Sequence, residues 1–353
     1  MPKLTAISGV GGKNPAAFMV EVNGFRLLLD LGMGPESGIL PDIQNVSPPD
    51  AIYLSHAHED HCGGLALRSQ WGNPPVYTTA MVWQQIPTTV VAETDRHTLL
   101  EHGHGHIGPL NVITGRSGHS PGGIWLHLNE STGMTYTGDW STESNVFPFD
   151  LPPQAALLIT DATYGDRTQS LPEQKSVLLQ QAREGAVIAV PAWGRAPEIA
   201  LYLMESGIMP RFCPQIIREI TLQLPKLSGY VKDRLSTLLT QQTTQPYQPD
   251  DVIICCDATA KSGLSAELSQ QTETFRFIFG SYIARGTPAL AMLQAEKARW
   301  LPWNVHPRLQ DQLMLAKTTN ASQILPAFVA PYNASQIEER LSGRITWEKE
   351  CEF

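Results

Sequence analysis

Ser55-His56-Ala57-His58-Glu59-Asp60-His61 is the stretch on which the reading of this chain turns. His56, His58, Asp60 and His61 crowd metal-ligating side chains into one short segment. The apolar run Ala51-Ile52-Tyr53-Leu54 just before it reads as a buried strand. Cys62-Gly63-Gly64-Leu65 just after it permits a tight turn into a helix. The ligands are therefore expected on a loop at the end of a strand. In an extended segment, side chains two apart point the same way, so His56 and His58 can grip one ion together. Asp60 and His61 lie beyond the bend and can face a neighbouring ion. Imidazole together with carboxylate suits zinc, and a site with an open position is catalytic. The plainer alternative is a polar loop whose histidines only hydrogen-bond, and this spacing after a strand argues against it.

The pattern resembles the His-x-His-x-Asp-His signature of the metallo-β-lactamase fold superfamily. Other stretches carry the same resemblance in order. Arg26-Leu27-Leu28-Leu29-Asp30 reads as a strand, and Asp30 at its end matches the Asp that supports the histidine loop by hydrogen bonding. An Asp capping a turn is the alternative there. Gly118-His119-Ser120-Pro121-Gly122 is similar to the third motif, which implies that His119 completes a three-histidine cup with His56 and His58. Met134-Thr135-Tyr136-Thr137-Gly138-Asp139 gives a strand ending in Gly-Asp, and the resemblance makes Asp139 the carboxylate that bridges two ions. Asp60 and His61 would then hold the second ion. His127, in the alternating run Ile124-Trp125-Leu126-His127-Leu128, reads as structural.

Further along, Asp161-Ala162-Thr163-Tyr164-Gly165 looks like the first acidic motif of the β-CASP nucleases, the branch of the superfamily that cleaves RNA or DNA. Gly194-Arg195-Ala196-Pro197-Glu198 is similar to a turn and helix start of that branch. A helix N-terminus with Arg195 beside it favours a phosphate, whereas an ion pair between Arg195 and Glu198 is the structural alternative. Gly280-Ser281-Tyr282-Ile283-Ala284-Arg285-Gly286-Thr287 resembles a third segment, adding Arg285 and Thr287 as substrate contacts. His306 falls on the His expected to assist the leaving group, although Arg308 stands where that motif has an Asp. The branch's last motif, a His that ligates the second ion, has no counterpart: Pro326-Ala327-Phe328 occupies the place. DNA-cleaving members lack that His and RNA-cleaving members usually keep it.

The resemblance implies an α/β protein, a metallo-β-lactamase αββα sandwich with a short β-CASP-like α/β cap inserted late. The sandwich is expected over residues 1–166 and 303–353 and the cap over 167–302, with the active site in the cleft between them. The activity implied is a metal-dependent nuclease that cleaves phosphodiester bonds of single-stranded DNA or RNA with a zinc-bound hydroxide. It would use one or two zinc ions, the second held weakly, with Asp60, Asp161 and His306 in catalytic roles. Two other readings fit the ligands: a hydrolase of small esters, thioesters or lactones, and a non-catalytic nucleic-acid-binding subunit on a degenerate nuclease scaffold.

Composition bounds these readings. The chain has 353 residues, 42% of them hydrophobic and 17% charged, enough for a real core. Its net charge of −9 means that any phosphate contact must come from a local basic patch. Cys62, Cys213, Cys255, Cys256 and Cys351 are scattered, which suggests a reduced, cytoplasmic protein without a disulfide framework. No signal-peptide core and no long apolar run appears, so no membrane partner is expected. His102-Gly103-His104-Gly105-His106 reads as a solvated, His-rich loop. Residues 205–250 match no motif beyond a helical stretch at 235–239, and the subunit number is not legible.

Overall fold

Leu27, Leu28 and Leu29 alternate in direction because successive side chains of a strand face opposite ways. Leu27 and Leu29 enter one hydrophobic core and Leu28 enters another. That alternation, repeated strand by strand, builds the first unit. In this computed structural model, which describes residues 2–36 and 38–353, Lys3–Ser8, Ala17–Val22 and Phe25–Leu29 form an antiparallel meander. Ala51–Tyr53, Val76–Thr79 and Arg96–Leu99 extend it in parallel, and Glu350–Glu352 closes the far edge, giving a seven-stranded sheet.

A six-stranded sheet lies against it, ordered Gln323–Ala327, Leu157–Asp161, Met134–Tyr136, Ile124–Leu128, Leu110–Arg116 and Gly103–Ile107. Phe18, Leu27 and Tyr53 from the first sheet share one core with Leu126, Tyr136 and Ile159 from the second. Each such fully buried large apolar side chain contributes roughly 1.5–3 kcal/mol relative to exposure. The outer faces are covered in turn. Leu28, Ile52 and Val76 pack with Leu65 and Val82 on one side. Leu158 and Ile324 pack with Leu309 and Leu315 of helix Leu309–Thr319 and Ile337 of helix Ser335–Arg340 on the other. The result is an αββα sandwich.

The chain divides into two compact units, one running to Thr168 and resuming at Val305–Phe353, the other Gln169–Asn304. The second unit is α/β. Its five strands, in the order Arg211–Phe212, Val252–Cys255, Ala186–Ala189, Phe277–Phe279 and Ala298–Trp300, all pair in parallel. The central strands Val252–Cys255 and Ala186–Ala189 are buried at every residue, as parallel strands covered by helices on both faces are. The unassigned 205–250 region holds helices Pro214–Gln223 and Gly229–Thr240, the latter longer than the expected 235–239.

The histidine-rich tract is a correction. Gly103–Ile107 is not a loop but an edge strand paired antiparallel with Leu110–Arg116, and His104 and His106 project from it into solvent. Among the described residues, no helix is long and apolar enough to cross a membrane.

Candidate metal centre

The centre rests on Asp30, fully buried at the end of Phe25–Leu29 with a left-handed backbone, φ 57°, that Asp tolerates better than most residues. Its amide donates to the Tyr53 carbonyl at 2.8 Å, which ties it to the strand that delivers the histidines. Its carboxylate accepts the Ser55 amide on Oδ1 at 2.7 Å, and on Oδ2 the Ser55 hydroxyl at 2.7 Å and the Tyr136 hydroxyl at 2.6 Å. His61 Nδ1 also lies 2.7 Å from Oδ2. The histidine loop is thus fastened to Asp30 at two points, Ser55 and His61. Close packing completes the seat: a Cβ on Gly32 would come within 1.8 Å of the Asp60 carbonyl, so only glycine fits.

His56 and His58 follow the Ala51–Tyr53 strand, and Asp60 and His61 fall on the short helix Glu59–Cys62 rather than on a loop. His119 is brought in from the turn after Leu110–Arg116, where its Nδ1–H donates to the Val305 carbonyl at 2.7 Å. That bond fixes the ring so that Nε2 faces His58 Nδ1 at 3.0 Å. The ring centroids of His56, His58 and His119 lie 4.7–5.0 Å apart. Asp139 arrives past Gly138, whose φ of 54° and close approach to Ser55 demand glycine. Its Oδ2 is 3.8 Å from His56 Nε2 and 3.5 Å from His119 Nε2, and its Oδ1 is 3.1 Å from His61 Nε2.

Three donor sets therefore share Asp139: His56, His58 and His119; Asp60 and His61; and Asp161 with His306. The Nε2 atoms of His56 and His58 are buried with no hydrogen-bond partner among the described residues, and His61 Nε2 faces the buried Asp139 Oδ1 at 3.1 Å. Orphaned buried lone pairs are costly, and so many converging on one point fit a divalent cation. Electrostatics agree. Burial pushes the His56 and His58 pKa values below their ordinary range, leaving neutral rings that can donate lone pairs. For His61, burial alone would do the same, but Asp139 and Asp30 on either side raise it well above that range. Burial would raise Asp139, yet His61 and His306 hold it well below the usual carboxylate range.

His306 stands beside these ligands. Its Nδ1 is 2.8 Å from Asp161 Oδ2 and 3.6 Å from Asp139 Oδ2, and its ring lies 5.0 Å from those of His119 and Tyr164. Arg308, found in place of an Asp, pairs with Asp311 at 3.0 Å and Glu143 at 3.2 Å. The residues put forward as substrate contacts lie in the second unit. Arg195 is buried and its Nη1 pairs with Glu198 at 2.8 Å, the structural alternative foreseen for it. Thr287 is buried and caps helix Pro288–Gln294, accepting from the Leu290 amide. Arg285 is exposed on the turn before that cap.

The sequence reading passed over Ser55, Tyr136 and Lys13. Ser55 and Tyr136 bind Asp30. Lys13 Nζ lies 2.9 Å from Asp60 Oδ2. Only a demand for charge balance around so many carboxylates could have pointed to Lys13.

A model of the metallo-β-lactamase superfamily matches residues 10–192, more than half of the chain. The chain belongs to that superfamily, and within it resembles the β-CASP nuclease branch. It is 28% identical over 278 residues to Ribonuclease TTHA0252 of Thermus thermophilus, covering 66% of this chain and 63% of that protein. It is 28% identical over 213 residues to an RNase J-like protein of Methanocaldococcus jannaschii, covering 52% of this chain and 50% of that one. The chain thus spans between half and two thirds of the length of these relatives. A crystal structure of a protein of unknown function from Enterococcus faecalis shares the fold over 94% of both chains, with a TM-score of 0.57 and 14% identity.

Proposed function

We propose that this chain is a metal-dependent nuclease that hydrolyses phosphodiester bonds, with zinc as its ion and single-stranded RNA as its substrate. The observation that carries the reading is the convergence of buried, unpartnered histidine Nε2 atoms on Asp139, with the Asp161–His306 pair beside them. The imidazole-rich donor set favours zinc. Relatives named as a ribonuclease and as RNase J-like favour RNA, against the missing His at Pro326-Ala327-Phe328, which favours DNA. The Gln169–Asn304 unit is taken as the β-CASP-like cap.

His56, His58 and His119 would hold the ion together with Asp139. A divalent cation so held would lower the pKa of a bound water to about 7 and offset negative charge on the phosphoryl oxygens. The chain's own residues supply the rest. Asp30 fixes the rotamer of the histidine loop through Ser55 and His61. Asp161 accepts a hydrogen bond from His306 Nδ1–H, which orients the ring so that, when doubly protonated, its Nε2–H can be given to the departing oxygen or can hold the phosphate. Asp60 keeps its charge next to the centre. The scattered free cysteines fit a reducing cytoplasm.

The test is incubation of zinc-loaded protein with end-labelled single-stranded RNA, single-stranded DNA and an aryl ester. RNA cleavage is expected, falling to background in His58→Ala. Turnover of the ester alone, with both nucleic acids intact, would sink the nuclease reading in favour of a small-molecule hydrolase.

A further inference from the structure

Asp60, His61 and Asp139 form a second donor set beside the first. The sequence leads one to expect another ion there. The structure puts two other groups at that place. Lys13 comes from the turn joining strands Lys3–Ser8 and Ala17–Val22, and its Nζ is 2.9 Å from Asp60 Oδ2. The side chains are only 21% and 23% exposed. The turn is stitched to the histidine loop, since the Ala16 amide donates to the Asp60 carbonyl at 2.9 Å. Lys13 is therefore placed by backbone contacts and does not merely reach across solvent. On its other side the ammonium sits 5.5 Å over the ring of Phe328, and that ring packs edge-on against His61 at 5.2 Å. A phenyl face attracts a cation but offers no lone pair to coordinate one.

We propose that the Lys13 ammonium stands in for a second metal ion, so that the centre takes one ion and is completed by a cation the chain carries itself. This rests on the metal-hydrolase reading of the site. An ammonium at this range from Asp60 Oδ2 competes with a divalent ion for the same carboxylate, because like charges a few ångströms apart repel strongly away from bulk water. The ammonium has three donors. One satisfies Asp60, and another is available to a phosphoryl oxygen of a bound substrate. Lys13 thus neutralises charge without supplying Lewis acidity, which a single ion held by His56, His58 and His119 would supply. A buried salt bridge that only pins the loop would place the same two atoms together, but it would not set how many ions bind.

Metal counting separates the two. Protein is saturated with zinc, gel-filtered and analysed by mass spectrometry. In parallel it is titrated with Mn²⁺ and followed by electron paramagnetic resonance. One ion per chain and an uncoupled Mn²⁺ signal are expected for the wild type and for Lys13→Arg. Two ions and an exchange-coupled signal are expected for Lys13→Ala, and more firmly for Lys13→Ala combined with Phe328→His. Two ions in the wild type, or one in a folded Lys13→Ala, would overturn the proposal. Should Lys13→Ala fail to fold, Lys13→Met takes its place with the same expected counts, and a coupled wild-type signal at two equivalents overturns the proposal in either case. A wild type that holds one ion yet leaves RNA intact would defeat the nuclease reading and leave this one standing. A wild type that holds none would defeat both.

Discussion

Asp30 receives hydrogen bonds from Ser55, His61 and Tyr136 on two carboxylate oxygens, and no water reaches it. Changing it to Asn keeps the shape and replaces one acceptor oxygen by a donor. That donor would meet the hydroxyls and the ring nitrogen that now donate to it, and an unsatisfied buried polar group costs about 1–3 kcal/mol. Asp30→Asn should therefore lower the unfolding midpoint and weaken metal binding by roughly 10–100-fold, the range seen when a group orienting a metal-bound His is lost. Competition against a fluorescent chelator measures the second effect. Unaltered metal affinity would show that the histidine loop holds itself. His56, His58, Asp60, His61, His119 and Asp139 were legible because each sits in a compact pattern with chemistry of its own. Tyr136 and Asp30 are 106 residues apart, and nothing local in either stretch announces the contact. Lys13 was illegible for the same reason.

Strands that are mostly apolar runs packed on both faces, such as Phe25–Leu29 and Ile124–Leu128, could be read directly, because a short apolar run is the mark of a buried strand. Gly103–Ile107 could not. Its alternation is Gly with His, so no apolar face signals it, and its neighbour Leu110–Arg116 supplies the pairing that makes it a strand. Helix Gly229–Thr240 was seen only in part because Leu235 and Leu238 are its buried residues. Helix Pro214–Gln223 went unseen, yet it carries Glu219, which is buried and accepts from the Trp193 amide and from Gln215, each at 2.8 Å. Burial raises its pKa to about 7. Between an unfolded value of about 4.3 and that folded value, the folded state holds a proton that the unfolded chain has released. Its stabilising contribution is thus complete below pH ~4.3 and is lost as pH rises through about 7, on the order of 3 kcal/mol in all. Hydrogen exchange in Pro214–Gln223 should quicken from pH 5 to pH 8 beyond the intrinsic rate change. Glu219→Gln should remove that excess, and a variant retaining the full slope would place the effect elsewhere.

At the scale of the molecule, the chain divides into two compact units after Thr168 and after Asn304. The sheet order was not legible. Gln323–Ala327 pairs in parallel with Leu157–Asp161 across the entire intervening unit, and such long-range pairing leaves no mark in either segment. The same division makes the effect of metal removal local. Every residue proposed to hold the ion, together with Asp30 and His306, belongs to the first unit. An ion that binds only the folded state stabilises it by RT ln(1 + [L]/Kd), about 4 kcal/mol when the free ion stands a thousandfold above Kd. Stripping the ion removes this from the first unit and also exposes the repulsion among the buried donors. Segment-resolved hydrogen exchange after chelation should therefore quicken in Ala51–Tyr53, Ile124–Leu128 and the histidine loop between and beyond them. Val252–Cys255 and Ala186–Ala189, in the second unit, should exchange as before. Equal loss of protection in both units would mean that they unfold as one, and no loss in either would mean that these histidines carry no ion.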